Sequence, residues 1–274
     1  MKQALKAEIE KIKGRGATYV DARWYPYEES NTLYMMNGNL KTLNSSWQSG
    51  VGVRVLYKGA WGFAASSDLG CAGKIFEKAF DNARVAAERV RFPVRLAEKD
   101  ALQASFTSPN AIDPFEVALD EKVAFLQEMD KALDQPGVNH RIAGVEFMKK
   151  QIIFLDSEGS EIEKKIIEVF PRLRVSGMDK DGGMQGRKWQ PAINRPTRGW
   201  ETLDKAEFLE NAQRIVKELN ELLTAPDCPK DTRSVILLPG MMFLQTHETI
   251  GHPLELDRIL GYELSFAGGS FVRL

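Results

Sequence analysis

The strand-like alternation of apolar and polar residues in this chain comes in long consecutive runs. One run covers residues 17–65 and another covers residues 138–175. The first contains Asn37-Gly38 and Lys58-Gly59, and the second contains Ser157-Glu158-Gly159, all of which favour tight turns between neighbouring strands. Strands joined in this way pair antiparallel, so we expect an α+β fold with largely antiparallel sheets flanked by helices. In the second run we expect at least three strands.

Four segments outside the strand runs have apolar residues at helical spacing. They are residues 1–13, 68–90, 113–133 and 203–223. The strongest helix start is Asp113-Pro114, which offers a capping side chain followed by proline in the first turn. Residues 91–109 contain two prolines, and we expect them to be a connecting stretch. Residues 179–197 are rich in Gly, Arg and Pro, and we expect them to be an irregular loop.

The pattern changes again in the last fifty residues. Residues 224–231 break the fourth helix, and residues 234–238 have the composition of a short apolar strand. Pro239-Gly240 follows, and a further helical stretch then carries two of the three histidines. We therefore expect the histidines to lie on a C-terminal helix.

Charge, hydropathy and cysteine usage exclude several classes of protein. The chain has 274 residues, with 37 Lys and Arg against 38 Asp and Glu, so it has no global basic field for nucleic acid. The longest nearly apolar stretch, residues 235–244, is about half as long as a membrane span and contains Pro239 and Gly240. The N-terminus has no secretory signal, and Cys71 and Cys228 are too few for a disulfide framework. We expect a cytoplasmic protein that binds neither nucleic acid nor a membrane.

The strongest indication of a functional site is the pattern H-E-x-x-x-H, formed by His247, Glu248 and His252. Neutral imidazole is a common zinc ligand, and a neighbouring carboxylate can accept the proton of an attacking water. The alternative is that two unrelated histidines happen to lie at the end of a helix. We favour the metal site, because the carboxylate directly follows the first histidine.

The spacing of the two histidines requires a departure from a regular α-helix. Residues i and i+4 differ by about 40° around the helix axis, whereas residues i and i+5 differ by about 140°. His247 and His252 can therefore share one ion only if the helix widens locally, as in a π-bulge, or stops before His252. Gly251 and Pro253 flank His252, and a residue before proline avoids the α region, so we expect the helix to stop.

Five further residues are candidates with a weaker signal. His140 lies in a strand-like run, where we expect a structural or solvent-facing role. Cys71 and Cys228 are each either a small apolar residue or a soft third ligand. Glu255 and Asp257 either form a solvated face or orient a metal ligand or bind a substrate amine.

These residues make the sequence resemble the TldD/PmbA peptidases, a family once described as modulators of DNA gyrase. The likeness rests on residues 50–65 with the Asn37-Gly38 turn before them, and on residues 247–252 followed by Glu255 and Asp257. It extends over essentially the whole chain. The paired histidines place the chain on the TldD side of the family.

The resemblance implies a zinc-dependent metallopeptidase of the cytoplasm that cleaves unfolded or small peptides. It implies a dimer around an enclosed chamber, formed with a homologous TldE/PmbA-type subunit or with a second copy. Carried onto the matching positions, His247 and His252 are zinc ligands, and Glu248 is the general base that takes the proton of the attacking water.

The resemblance also implies a domain organisation. Residues 1–225 form an N-terminal α+β domain, and residues 226–274 form the start of a C-terminal metallopeptidase domain. The family's third zinc ligand is a cysteine near the end of a longer chain. We therefore expect the mostly β C-terminal domain of the family to be absent from these 274 residues.

Two other functions remain open at this point. One is a non-catalytic or inactive subunit or fragment of a TldD–TldE-type assembly. The other is a regulator of DNA topology, which the older family name suggests but which the neutral charge and the lack of a DNA-binding motif disfavour.

Overall fold

A computed structural model describes residues 1–191 and 197–273 of the chain. The chain divides into two compact units, Met1–Ala225 and Pro226–Leu274. No helix among the described residues is both long enough and apolar enough to cross a bilayer.

The first unit is built on one seven-stranded sheet. Its strands are β1 (Tyr19–Met36), β2 (Asn39–Tyr57), β3 (Ala60–Ser66), β4 (Gln103–Thr107), β5 (His140–Asp156), β6 (Glu161–Met178) and β7 (Met184–Trp189). The spatial order is β3-β2-β1-β5-β6-β4, and β7 also pairs with β6. Every pairing is antiparallel except that of β4 with β6. The predicted α+β fold with a largely antiparallel sheet is confirmed.

Four helices pack against one face of this sheet. They are α1 (Lys2–Gly14), α2 (Ala72–Ala87), α3 (Leu119–Leu133) and α4 (Lys205–Thr224). The core has two clusters, one under α1 and α2 and one under α3 and α4. In β5, Val145 belongs to the second cluster and Ile153 to the first, and the even spacing between them puts both on the same face. The four helices therefore cover one face of the sheet.

The three predicted hairpin turns are confirmed, between β1 and β2, between β2 and β3, and between β5 and β6. Asn37 and Gly38 have φ angles of 48° and 80°, and Lys58 and Gly59 have φ angles of 47° and 79°. Two successive residues in the left-handed region match the right-handed twist of the flanking strands, which is why Asn-Gly is favoured there.

The second strand run contains two strands, so the prediction of at least three was wrong. β6 continues through Pro171 without a break. The amide of Ile167 donates to Ser108, which lies on the outer side of β6. Backbone nitrogens four residues apart in a strand point to the same edge, so the nitrogen of Pro171 also faces outward. Among the described residues no strand pairs with that edge at Pro171, since β4 pairs with Glu161–Lys165 and β7 with Leu173–Met178. A proline is tolerated where no ladder hydrogen bond is lost.

Two segments between helices and long strands contain short edge strands. β4 lies within the predicted connecting stretch 91–109, and all five of its residues are exposed, so no alternation marks it in the sequence. β7 lies within the predicted irregular loop 179–197, whose residues 192–196 are outside the described part of the chain. The prediction of irregular structure was wrong over β7, because an edge strand is held by backbone pairing and needs no apolar pattern.

The third helix starts later than predicted. The expected cap at Asp113 is wrong, since α3 begins at Leu119 after an extended Ala118. The Asp113 carboxylate instead accepts from the amide of Phe115, at 2.9 Å, and pairs with Lys149 of β5. The ion pair ties the segment to the sheet. By contrast, Asp204 caps α4 through the amides of Ala206 and Glu207.

The second unit is short and mostly helical. It contains α5 (Pro239–Thr246), a π-helical turn at His247–Gly251, a 3-10 turn at His252–Leu254 and α6 (Leu256–Ile259). The predicted strand at residues 234–238 is wrong: these residues have no strand pairing, and Ile236 is 89% exposed. A strand needs a partner, and no described residue of this unit forms one.

Candidate metal centre

The helix that carries the histidines begins at a proline and ends in a widened turn. Pro239 occupies the first turn of α5, where its missing amide hydrogen costs nothing. At the other end, the amide of His252 donates to the carbonyl oxygen of His247, five residues earlier. This π-type hydrogen bond adds one residue to the turn, so residues five apart lie above one another.

In the structure the helix widens locally and does not stop before His252. His252 has φ −60° and ψ −45°, so it remains helical although proline follows it. The expectation that the helix stops before His252 was therefore wrong. Pro253 is accommodated because it lies at the start of the 3-10 turn, where the amide hydrogen would have no partner within the turn.

The widened turn brings the two imidazoles together. The ring centroids of His247 and His252 are 4.3 Å apart, and the ring planes are inclined by 80°. One ligand atom from each of His247, Glu248 and His252 lies within 4.8 Å of the others. Two nitrogens bound to one tetrahedral zinc ion are about 3.4 Å apart, given bonds of about 2.0–2.1 Å. The observed spread exceeds this separation by no more than about 1.4 Å, and imidazole nitrogen and carboxylate oxygen are donors that suit a divalent metal ion.

Glu248 faces the same space as both rings. Its Oε1 atom is 3.9 Å from Nε2 of His247, and its Oε2 atom is 3.7 Å from Nε2 of His252. These separations are too long for hydrogen bonds and leave room between the groups. His247 and Glu248 are more than half exposed, whereas the His252 side chain is 27% exposed.

Glu255 holds the His252 ring through Nδ1, the ring nitrogen that does not face Glu248. Nδ1 of His252 lies 3.0 Å from Oε1 of Glu255, whose Oε2 atom lies 2.8 Å from Nε of Arg258. The hydrogen bond with His252 is the main cause that lowers the pKa of the Glu255 carboxyl, and the charge of Arg258 adds to it. A carboxylate on Nδ1 fixes the ring and leaves Nε2 free to bind a metal. The sequence signal was the spacing of three residues between His252 and Glu255.

The remaining candidates lie elsewhere. Asp257 accepts from the amide of Arg258, at 2.8 Å. His140 is exposed at the start of β5 and pairs with Ser176 of β6. Cys71 donates to Asp68, a hydrogen bond that raises the pKa of the thiol, and Cys228 is an exposed free thiol. Among the described residues, the only group of three potential ligands found is His247, Glu248 and His252.

An open apolar groove adjoins His247 within the second unit. Its volume is about 610 Å³. It is lined by Leu237, Pro239, Met242, Phe243, Thr246 and His247. An apolar side chain of a ligand would therefore lie next to one of the two imidazoles.

Comparison with known proteins identifies two family models in the first unit. The PmbA/TldA metallopeptidase domain 1 matches residues 25–87, and the PmbA/TldA metallopeptidase central domain matches residues 112–224. Together the two models cover more than half of the chain.

Curated relatives are named as metalloproteases. The metalloprotease of Methanocaldococcus jannaschii is 28% identical over 255 residues, which is 92% of this chain and 55% of that protein. A metalloprotease of Archaeoglobus fulgidus is 28% identical over 238 residues, which is 84% of this chain and 51% of that protein. The chain thus spans about half the length of the curated relatives it matches.

Solved structures share the fold. A protein of Thermotoga maritima named as a modulator of a DNA gyrase superposes with a TM-score of 0.62 and 18% identity, over 84% of this chain and 50% of that one. TldE of Thermococcus kodakarensis superposes with a TM-score of 0.52 and 13% identity, over 79% of this chain and 47% of that one.

Proposed function

Because the chain belongs to the PmbA/TldD metallopeptidase family, we propose that it is a TldD-like zinc peptidase subunit that acts on unfolded or small peptides. The observation that carries this proposal is the widened turn at His247–Gly251, which brings two imidazoles and a carboxylate to one point. A regular helix would splay the two rings apart. The widened turn therefore supports a shared ion at these two histidines.

In this proposal His247 and His252 would hold the zinc ion. Bound zinc supplies Lewis acidity, which lowers the pKa of a water to about 7 and polarises a substrate carbonyl. The carboxylate of Glu248 lies within 4 Å of both Nε2 atoms, which supports a role as the base that takes the proton of the attacking water and returns it to the leaving amine. Glu255 and Arg258 position His252 and do not touch the substrate.

The groove beside His247 supports an extended peptide as the substrate. It is open and apolar, so it accepts one side chain of a flexible chain more readily than the surface of a folded protein. The exposure of Glu248 leaves the reacting position open to solvent. Both features agree with cleavage of unfolded or small peptides.

Catalytic zinc normally takes three protein ligands. The cluster provides two imidazoles once Glu248 is assigned as the base. We therefore expect residues 1–274 alone to bind zinc weakly and to lose it to mild chelators. We place the active protein in a dimer with a TldE/PmbA-type subunit or a second copy, and the fold shared with TldE supports such an assembly. The free thiols of Cys71 and Cys228 suit the reducing cytoplasm.

The metal assignment is tested by zinc titration calorimetry on the 274-residue chain and its variants. We expect His247→Asn and His252→Asn each to lower zinc affinity at least about tenfold, because each removes one ligand. His140→Asn is the matched control, since His140 is exposed in the other unit and should leave zinc binding unchanged. Equal affinity in all three variants would remove the basis for the site.

The same assay distinguishes the proposed role of Glu248 as a base from the role of Glu255 in positioning His252. Glu248→Gln should retain zinc and, where peptide cleavage is measured, lower its rate by roughly 10² to 10⁴, the range for a lost general base. Loss of zinc in this variant would make Glu248 a ligand instead. Glu255→Gln should weaken zinc binding through His252 but leave a base at Glu248.

A further inference from the structure

Three cationic side chains meet on the second face of the sheet, which is the face opposite α1–α4. Leu173 and Val175 of β6 belong to the core cluster under α3 and α4. Because side chains alternate along a strand, Arg172 and Arg174 point to the second face. Lys188 of β7 lies directly opposite Arg174 and therefore shares that face. All three cationic residues are exposed.

Arg174 and Lys188 carry like charges at positions that face each other across two strands. Residues directly opposite in an antiparallel pair have Cβ atoms about 4.5–5.5 Å apart, and like charges there destabilise the pair. Neither side chain has a hydrogen bond or an ion pair with any residue that the structure describes. A bound anion would replace this repulsion by two attractive contacts.

Arg172 is held in place by an aromatic ring that crosses the neighbouring strand. Tyr34 of β1, Gly144 of β5 and Arg172 of β6 lie in one row, each directly opposite the next. The Tyr34 ring lies across Gly144, where a Cβ atom would be 2.0 Å from Cδ1 of Tyr34. The guanidinium carbon of Arg172 is 5.2 Å from the centroid of this ring, within the range of a cation–π contact. The Glu146 carboxylate is 3.9 Å from Arg172, too far for a hydrogen bond, so the guanidinium keeps its donors for a ligand.

The spacing of these charges matches an extended peptide that has acidic side chains at alternate positions. Arg172 and Arg174 are two residues apart in β6, which is about 6.6–6.8 Å along the strand. Alternate side chains of an extended peptide are the same distance apart and point to the same side. The next residue of this row is Phe170, which is 37% exposed. Two acidic side chains would therefore meet the arginines, and an apolar side chain two positions further would meet Phe170.

Single-stranded nucleic acid is less complementary to this row than such a peptide. Glu146 lies directly opposite Phe170, and Glu168 follows Phe170 on the same face of β6. A nucleic acid carries a negative charge on every nucleotide, so a strand along β6 would bring further charges close to these two carboxylates. A peptide carries charge only at its acidic residues. The chain as a whole has a net charge of −1 and offers no wider basic field.

We propose that Arg172, Arg174 and Lys188 form a binding site for the acidic segment of an extended peptide. The carboxylates of the peptide accept charge-assisted hydrogen bonds from the two guanidinium groups and from the ammonium group of Lys188. The site binds side chains and needs no metal ion. It goes beyond the proposed peptide cleavage and does not depend on it.

The proposal is tested by fluorescence anisotropy with the 274-residue chain and the fluorescein-labelled peptide Gly-Ser-Glu-Ser-Glu-Phe-Ser-Gly. EDTA is present throughout, so the result does not depend on the metal site. The matched peptide has glutamine in place of both glutamates. We expect it to bind at least about threefold more weakly, because two exposed charge pairs are lost. Binding of the acidic peptide should also weaken as salt is added.

Substitutions in the chain locate the binding site. Arg174→Gln should weaken binding of the acidic peptide about two- to fivefold, since it removes one exposed cation from the site. Arg23→Gln is the matched control and should leave binding unchanged. Arg23 is also an exposed cation on the second face, but it lies beside Phe154, near the other end of β6.

Lys188→Glu separates loss of the site from loss of the strand pair. It places opposite charges across β6 and β7, so the thermal midpoint should stay the same or rise while peptide binding falls at least about fivefold. Equal binding of the two peptides, or unchanged binding in Lys188→Glu, would overturn the proposal. So would an effect of Arg23→Gln as large as that of Arg174→Gln. Tighter binding of a short fluorescein-labelled oligothymidine that Arg174→Gln weakens would assign the site to nucleic acid instead.

Discussion

The Asp156 side chain is fully buried at the end of β5, where a carboxylate needs several partners. It accepts from Lys99, at 2.6 Å, and from the amides of Ser160 and Glu158, at 2.8 and 3.0 Å. Burial by itself would raise the pKa of this carboxyl. The hydrogen bonds from Lys99 and the two amides outweigh burial, so the pKa is lowered.

Asp156→Asn should lower the free energy of unfolding by about 1–3 kcal/mol at pH 7, because Lys99 and the amides of Ser160 and Glu158 lose their charged acceptor. The pKa is lower in the folded state than the ordinary value of about 3.9, so the ionised group stabilises the fold at higher pH. This contribution is lost as the pH falls through the folded pKa. Urea unfolding at pH 7 and pH 3 should show the difference between the parent and the variant becoming smaller at pH 3.

Glu158→Gln is the matched control for this prediction. Glu158 also pairs with Lys99, at 3.4 Å, but its side chain is 34% exposed. We expect a change of no more than about 1 kcal/mol, as for other solvent-exposed ion pairs. An equal effect of the two substitutions would show that the buried contacts of Asp156 contribute nothing beyond surface charge.

Single residues were predicted well where local chemistry decides their role and poorly where packing does. The grouping of His247, Glu248 and His252 follows from their spacing. The buried position of Lys122, whose Nζ atom lies 5.3 Å from the centroid of the Phe147 ring, could not be predicted, because Lys122 lies beside the apolar stripe of α3 in the sequence. Desolvation lowers the pKa of this lysine. Its burial depends on the sheet beneath α3.

At the scale of elements, α2 packs closely against β3 at Gly62. A Cβ atom at this position would lie 2.1 Å from the carbonyl oxygen of Ala79 and 2.3 Å from the nitrogen of Ala83, both in the backbone of α2. Gly62→Ala should therefore cost about 1–3 kcal/mol or more, since a helix backbone cannot move aside as a side chain can. Thermal unfolding by circular dichroism measures the loss.

Gly14→Ala is the matched control for the effect of adding one methyl group. Gly14 is the last residue of α1, and nothing lies within 4 Å of its Cβ position. We expect unchanged stability or a gain of up to about 1 kcal/mol, because alanine favours the helix. If Gly62→Ala unfolds at the same temperature as the parent, α2 is not held against β3 as closely as the contact implies.

Turns and long helices could be predicted from the sequence, but strand partners could not. Asn37-Gly38 fixes a hairpin by its own backbone preference. β4 pairs in parallel with β6, which is more than fifty residues away in the sequence. Its five residues are all exposed and show no alternation of buried and exposed positions from which a strand could be predicted. The local sequence also could not predict whether the helix widens or stops at His252, since Pro253 is compatible with both. Pairing and turn type depend on distant contacts.

At the scale of the whole molecule, the buried apolar residues are concentrated in one unit. Both core clusters lie between Leu5 and Leu219, within Met1–Ala225. The described residues of Pro226–Leu274 include none that is buried. The cooperative stability of the chain should therefore reside in the first unit.

We expect residues 1–225 produced alone to keep the fold and to unfold cooperatively, with a midpoint within about 4 °C of the full chain, which corresponds to about 1 kcal/mol for a domain of this size. Truncation after residue 203 is the matched control, because it removes α4 and with it the buried Phe208, Ile215 and Leu219. Each such side chain contributes about 1.5–3 kcal/mol on burial, so this shorter chain should lose its cooperative transition. Differential scanning calorimetry of the three chains tests the prediction. A large loss of stability in the 1–225 chain would show that the second unit contributes to the core, although none of its own described residues is buried.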